Sequence, residues 1–148
     1  MAFKTYLLTT EENGSKLYKA VISFANGDFT AAATTQSFTL FSFLANHVLD
    51  GIWRRNVTNL AITGSTSGTL IVGDDDDDDG FLVSKSVLDG ATPIDTQTFD
   101  GAYGNQAGGK AYTAAKSLIA KFTTDATMAV TTAGEVHIFY RVRDLSKL

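Results

Sequence analysis

Cysteine is absent from the 148 residues, which removes disulfides, thiolate metal sites and thiol nucleophiles together. That absence suits a chain assembled in a reducing compartment. Histidine occurs only as His47 and His137, without the spacing of a metal-ligand pair and without an H-E-x-x-H segment. No apolar run approaches the roughly 18 residues that a membrane span needs. The opening MAFKTYLLTTEEN lacks the long apolar stretch and small-residue cleavage site of a secretory signal, so cytoplasmic synthesis is expected. No serine lies in a G-x-S-x-G elbow. The glycine-rich GAYGNQAGGK ends in Lys110 but continues with Ala111, so it does not close as a phosphate loop and reads as a mobile surface loop. A catalytic role is therefore not expected.

Positive charge is also scarce in any concentrated form. The net charge is −4, but six aspartates lie together at Asp74–Asp79; without them, 10 acidic residues face 12 basic ones. The remaining surface is close to neutral and has no basic stripe to meet nucleic-acid phosphates.

What the chain does hold is alternation. Hydrophobic residues make up 44%, proline occurs once, and threonine, valine, isoleucine and phenylalanine recur in short runs between turn residues. KLYKAVISF sets Tyr18, Ala20, Ile22 and Phe24 on one face, and NGDF follows as a turn. VTNLAIT sets Val57, Leu60 and Ile62 among polar neighbours. In GEVHIFYRVRDL, Val136, Ile138, Tyr140 and Val142 share one face, with His137, Phe139, Arg141 and Arg143 on the other. YTAAKSLIAKF alone is ambiguous, since alanine and lysine favour helix while its length also suits a strand. The pattern predicts an all-β chain with a single antiparallel β-sandwich. Residues 1–15 read as an N-terminal arm or first edge segment, and residues 16–148 as the sandwich.

The aspartate run lies between the apolar segments TLIVG and GFLVS. Neighbouring carboxylates repel, so the loop needs solvent, raised carboxyl pKa values or a cation. Asp75, Asp77 and Asp79 match the opening register of an EF-hand loop, but Ser86 stands where its closing glutamate belongs and the flanks read as strands. A looser Ca²⁺ site on those three residues is one reading. An outward, solvated hairpin tip, with Gly73 and Gly80 giving freedom to turn, is the preferred one. Elsewhere, the lone tryptophan, Trp53, adjoins Arg54 and Arg55. It reads either as a strand residue at the core edge or as an interface anchor, tryptophan and arginine being enriched where binding surfaces carry energy. Two adjacent arginines in a strand face opposite ways, so at least one is expected to be available to a partner.

Three segments then form a recognisable succession: FTLFSFLANHVLDGIWRRNVTNLAI, GTLIVGDDDDDDGFLVSKSVL and FTTDATMAVTTAGEVHIFYRVRDL. Val72-Gly73-Asp74, Asp79-Gly80-Phe81-Leu82, Thr124-Asp125 with Thr127, and Gly134-Glu135-Val136 resemble motifs of a family of small phage virion proteins. FLANHVL lacks the proline of the family's corresponding segment, and the aspartate run is longer and purer than its mixed Gly/Asp loop. The resemblance implies a jelly-roll-like sandwich and a non-enzymatic capsid decoration (cement) protein on the virion surface. It would be a trimer or dimer bound to the major capsid protein, with no nucleic-acid or membrane partner and no cofactor unless Ca²⁺. On that reading the shell contacts are Phe3, Tyr6, Leu7 and Leu8 of the N-terminal segment, with Trp53, Arg54 and Arg55. The alternative is an adhesin-like tail or fibre module whose aromatics cover a surface glycan, with Ca²⁺ in the acidic loop.

Overall fold

The computed structural model describes residues 3–12, 14–88, 97–98, 101–103 and 109–147. Ten strands follow in order: β1 Lys4–Thr10, β2 Lys16–Ser23, β3 Thr35–Phe43, β4 His47–Ile62, β5 Gly68–Gly73, β6 Leu82–Ser86, β7 Gln97–Thr98, β8 Lys110–Ala111, β9 Lys116–Thr124 and β10 Thr131–Asp144. They form two sheets, ordered β1-β2-β10-β4-β7 with β8 also on β4, and β3-β9-β5-β6. Every pairing between named strands is antiparallel. The chain is all-β, with its two sheets packed as a sandwich.

Alternation determines what each strand buries. Val136, Ile138, Tyr140 and Val142 of β10 all point inward, beside Ala20 and Ile22 of β2 and Ile52 of β4. Leu40, Phe43, Leu118, Ala120, Phe122, Leu70 and Val72 meet them from the second sheet. Each large side chain so buried contributes about 1.5–3 kcal/mol. Phe29, Phe38 and Phe122 pack edge to face with centroids 5.2–6.0 Å apart, the geometry that aromatic quadrupoles prefer. The Tyr140 hydroxyl donates to the Leu40 carbonyl at 2.7 Å, tying one sheet to the other.

The ambiguous segment is strand from Lys116 onward. Leu118, Ala120 and Phe122 alternate inward between β3 and β5, and that tertiary pairing overrides the helix preference of alanine and lysine. Phe24 does not join Tyr18, Ala20 and Ile22. β2 ends at Ser23, the chain turns at Gly27 (φ 77°), and Phe24 is 43% exposed while Phe29 fills the core. In β4 the inward positions after Ile52 are the polar Arg54 and Asn56, and Val57 faces the other way. Of the glycine-rich loop, residues 104–108 lie outside the described residues.

β1 is an edge strand, and all seven of its residues are exposed. β3 is the edge of the second sheet on the same side, where Phe3 packs edge to face on Phe38 at 5.6 Å. A register shift between Leu7 and Thr9 marks a bulge at Leu8, a common irregularity of edge strands.

Candidate docking face and acidic loop

Directly paired residues of neighbouring strands project from the same side of a sheet, so the register defines the outer face of the first sheet as a grid. One row runs Tyr6, Lys19, Phe139 and Trp53 across β1, β2, β10 and β4. The row on one side is Lys4, Val21, His137 and Arg55; on the other, Thr9, Leu17, Arg141 and Gly51. The Trp53 indole lies across Gly51, where a Cβ would collide with its ring. The Arg141 guanidinium sits 5.6 Å from the indole centroid, and the Lys19 ammonium 5.4 Å from the Tyr6 ring, both within cation–π range.

The structure sorts the expected contact residues. Tyr6, Trp53 and Arg55 share this outer face. Leu7 pairs with Tyr18 on the opposite side of the sheet but is 53% exposed, and Leu8 stands at the bulge, 46% exposed. Phe3 is half-buried against Phe38. Arg54 is turned inward, 2% exposed, with its Nη1 donating to the Ser86 carbonyl at 3.4 Å. A partner on this face therefore reaches Arg55 and not Arg54.

Arg141 is held by Asp50 at 2.9 Å and by Glu11 at 3.6 Å, and Arg143 by Asp50 at 3.5 Å. Asp50 lies where the register of β4 shifts against β10. Lys4 and Arg55 meet no carboxylate among the described residues. His137 bonds Glu135 at 3.1 Å; burial lowers its pKa, and Glu135 only partly offsets that. His47 accepts the Leu44 N–H on Nδ1 at 3.0 Å, with Nε2 3.8 Å from Asp144.

The acidic loop is two structures under one residue type. Asp74 is 3% exposed. Its Oδ2 accepts the Tyr112 hydroxyl at 2.9 Å and lies 3.1 Å from Lys110 Nζ. Its Oδ1 accepts the Asp76 and Asp77 N–H groups at 3.0 and 3.1 Å. Burial pushes this carboxyl up, but the Asp76 N–H, Lys110, Tyr112 and the Asp77 N–H together outweigh it and leave the pKa below the ordinary range. Lys110 also sits 3.2 Å from the Tyr103 ring centroid, and Tyr112 stacks on Phe43 at 4.1 Å. Neither bracketing glycine takes a positive φ. What Gly73 supplies is room, since a Cβ there would strike the Asp77 carbonyl.

The later aspartates do not stand free as a solvated tip, because β9 offers them partners. Asp75 accepts the Ser117 N–H at 2.8 Å, Asp76 pairs with Lys116 at 2.7 Å, and Asp78 with Lys121 at 2.6 Å. Carboxylate oxygens of Asp77, Asp78 and Asp79 come within 4.8 Å of one another, while Asp75 is directed to Ser117. Asp79 is raised, chiefly by its hydrogen bond with Asp77. At the far end of the sandwich Asp125 accepts from Ser65, from Thr66 through both its N–H and its hydroxyl, and from the Ser67 N–H. Those bonds hold its pKa well below the ordinary carboxylate range.

Asp74, Asp125 and Gly73 all belong to the motifs that carry the family resemblance; the two aspartates are fixed by tertiary hydrogen bonds, and Gly73 by the close approach of the loop's own backbone. Lys110, Tyr112 and Tyr103, whose hydroxyl donates to Asp74 Oδ1 at 3.4 Å, are the side-chain partners of Asp74 and had no signal in the sequence beyond their polarity.

No protein-family model matches the chain, and no curated protein does. Among solved structures, a chain of the Cyanophage Pam1 capsid asymmetric unit is similar to it, with a TM-score of 0.57 at 14% sequence identity. The match covers 93% of this chain and 92% of that one. At that identity the likeness is one of fold, and it spans the sandwich nearly end to end.

Proposed function

We propose that the chain is a structural protein of a phage head: a decoration protein, a trimer or dimer, that docks on the assembled shell of major capsid protein and stabilises it. The observation that carries this reading is the near end-to-end similarity of fold to a chain of a phage capsid asymmetric unit. The family-like motifs, lying at tertiary ties of the same sandwich, support it independently. The docking surface is the outer face of the first sheet, where Tyr6 and Trp53, remote in sequence, share one row with Phe139. A broad, partly apolar sheet face that carries tryptophan, tyrosine and arginine side by side has the composition of an interface. The physical effect is linkage: a protein that binds the assembled shell and not its free subunits shifts the balance toward assembly.

Quantitative mass spectrometry of purified virions, with immunogold labelling, tests the reading. Hundreds of copies distributed over the head, and heads that lose heat resistance without the chain, are expected. A few copies confined to the tail tip would instead favour the fibre-module reading and overturn this one.

A further inference from the structure

We infer that the outer face of the first sheet meets a carboxylate-rich protein surface, and that the acidic loop is turned away from that contact. The inference rests on the docking reading above and adds the chemistry of the partner and the orientation of the bound chain.

Some charges on the face are already answered within the chain. Arg141 and Arg143 are neutralised within the chain by Asp50 and Glu11. Among the described residues Lys4 and Arg55 end one row without a carboxylate, and Lys19, on β2 in the adjacent row, meets the Tyr6 ring and no carboxylate. A partner that covered the row Tyr6, Lys19, Phe139 and Trp53 would also take these cations partly out of water. Desolvating an unanswered charge opposes binding, whereas a facing carboxylate turns the same charge into an attraction and a source of specificity. A partner surface of low charge is therefore disfavoured at this face. Nucleic acid fits less well: a phosphate backbone needs a continuous basic track, which Glu11, Asp50 and Glu135 interrupt, whereas the carboxylates of a protein surface can be placed singly opposite Lys4, Lys19 and Arg55.

The opposite side of the sandwich carries the acidic loop. There the loop lies on β9, with Lys116 and Lys121 answering Asp76 and Asp78, while Asp75, Asp77 and Asp79 meet no lysine or arginine. Among the described residues the two outer faces thus carry surplus charge of opposite sign. A carboxylate-rich partner attracts one and repels the other, so long-range electrostatics fixes which way the chain lands.

The test measures binding of the labelled chain to heads of the parent phage assembled without it, at low and high salt, with DNA-cellulose in parallel. The variants are Lys19→Glu with Arg55→Glu, the milder Lys19→Gln with Arg55→Gln, and Asp75→Asn with Asp77→Asn and Asp79→Asn. Thermal unfolding verifies that each is folded. The charge reversal is expected to weaken binding about tenfold or more at low salt, with the gap narrowing at high salt. The glutamine pair should fall between it and the wild type, and the asparagine triple should bind as well as or better than the wild type. Head binding unaffected by either face variant, or weakened by the asparagine triple, would overturn the inference while leaving docking intact. Wild-type chain that binds no heads would overturn the docking reading and this inference with it. Tighter retention on DNA than on heads would assign the face to nucleic acid and also overturn it.

Discussion

The Tyr112 hydroxyl donates to the buried carboxylate of Asp74 at 2.9 Å, which makes the first aspartate of the acidic run a core residue and leaves its successors on the surface. Lys110 reaches the same oxygen, so the segment entering β9 and the loop leaving β5 share one charge-assisted joint.

Replacing Asp74 by alanine strands the Lys110 ammonium beside a cavity and should cost about 3 kcal/mol, as removing one partner of a buried pair does. Lys110→Met leaves Asp74 with Tyr112 and two N–H donors, and should cost less, about 2 kcal/mol. Because the folded carboxyl titrates below its ordinary range, its contribution is complete above about pH 4 and is lost as pH falls through the lowered value. Urea unfolding of wild type and Asp74→Asn at neutral and acid pH should show the gap between them closing in acid. A gap that widened instead would contradict the assignment.

Asp125 joins the connection between β4 and β5 to the end of β9 through hydrogen bonds from Ser65, Thr66 and Ser67. Asp125→Ala should loosen residues 63–67 first. Hydrogen exchange at Thr66 and Ser67 should then accelerate while β10 amides keep their protection. Since the carboxyl is held low, the bonds should survive to more acid pH than an ordinary aspartate permits.

Gly51 gives Trp53 its bed. Gly51→Ala should lift the indole from the sheet, shifting its emission to the red with little change in melting temperature. Trp53→Ala should weaken docking by about 2 kcal/mol or more. Emission of the wild type should move to the blue on docking. If it is already blue in the isolated chain and does not move, the indole is serving the sandwich and not a partner.

These assignments also mark where the sequence was readable. The inward face of β10 was legible residue by residue, because a central strand covered on one side shows its period directly. The opposition of Arg54 and Arg55 was legible too, but not which of them is buried, since that depends on the strand's partners. Phe24 and Phe29 are alike in chemistry; only the end of β2 separates the exposed ring from the core one. The aspartates are the extreme case. Six identical residues carry no local signal of which one Lys110 will reach, and the one singled out follows the glycine whose bare Cα admits the loop's own backbone.

β1 contributes Tyr6 and Lys4 to the face, yet its residues are all exposed, and Phe3 just before it packs on the core. Deleting residues 1–10 should therefore leave a folded sandwich, with β2 as the new edge, and weaken docking. Circular dichroism and thermal unfolding of the truncated chain verify the first part, and head binding the second. A truncated chain that fails to fold would make β1 an obligatory strand of the sheet.

The acidic loop offers a last discrimination, between a cation site and a brace. Lys116, Lys121 and the Ser117 N–H already answer Asp76, Asp78 and Asp75, so the loop has internal compensation that a bare tip would lack. Exposed pairs of this kind each contribute little, and salt screens them. Replacing Asp75, Asp77 and Asp79 with asparagine should accordingly change the melting temperature little. The carboxyl of Asp79 is raised above its ordinary value, chiefly by its hydrogen bond with Asp77 and then by burial and the neighbouring negative charge. The sign is therefore opposite to that at Asp74: this local interaction favours the folded chain below the ordinary carboxylate pKa and is lost as pH rises through the raised value. Mild acidification should relieve repulsion at Asp77–Asp79 without disturbing Asp74. Added Ca²⁺ should leave the wild-type melting temperature unchanged on the brace reading. A saturable rise with Ca²⁺, abolished in the asparagine triple, would mean that the ion binds the folded state and stabilises it by mass action, and Asp77, Asp78 and Asp79 would then be its ligands.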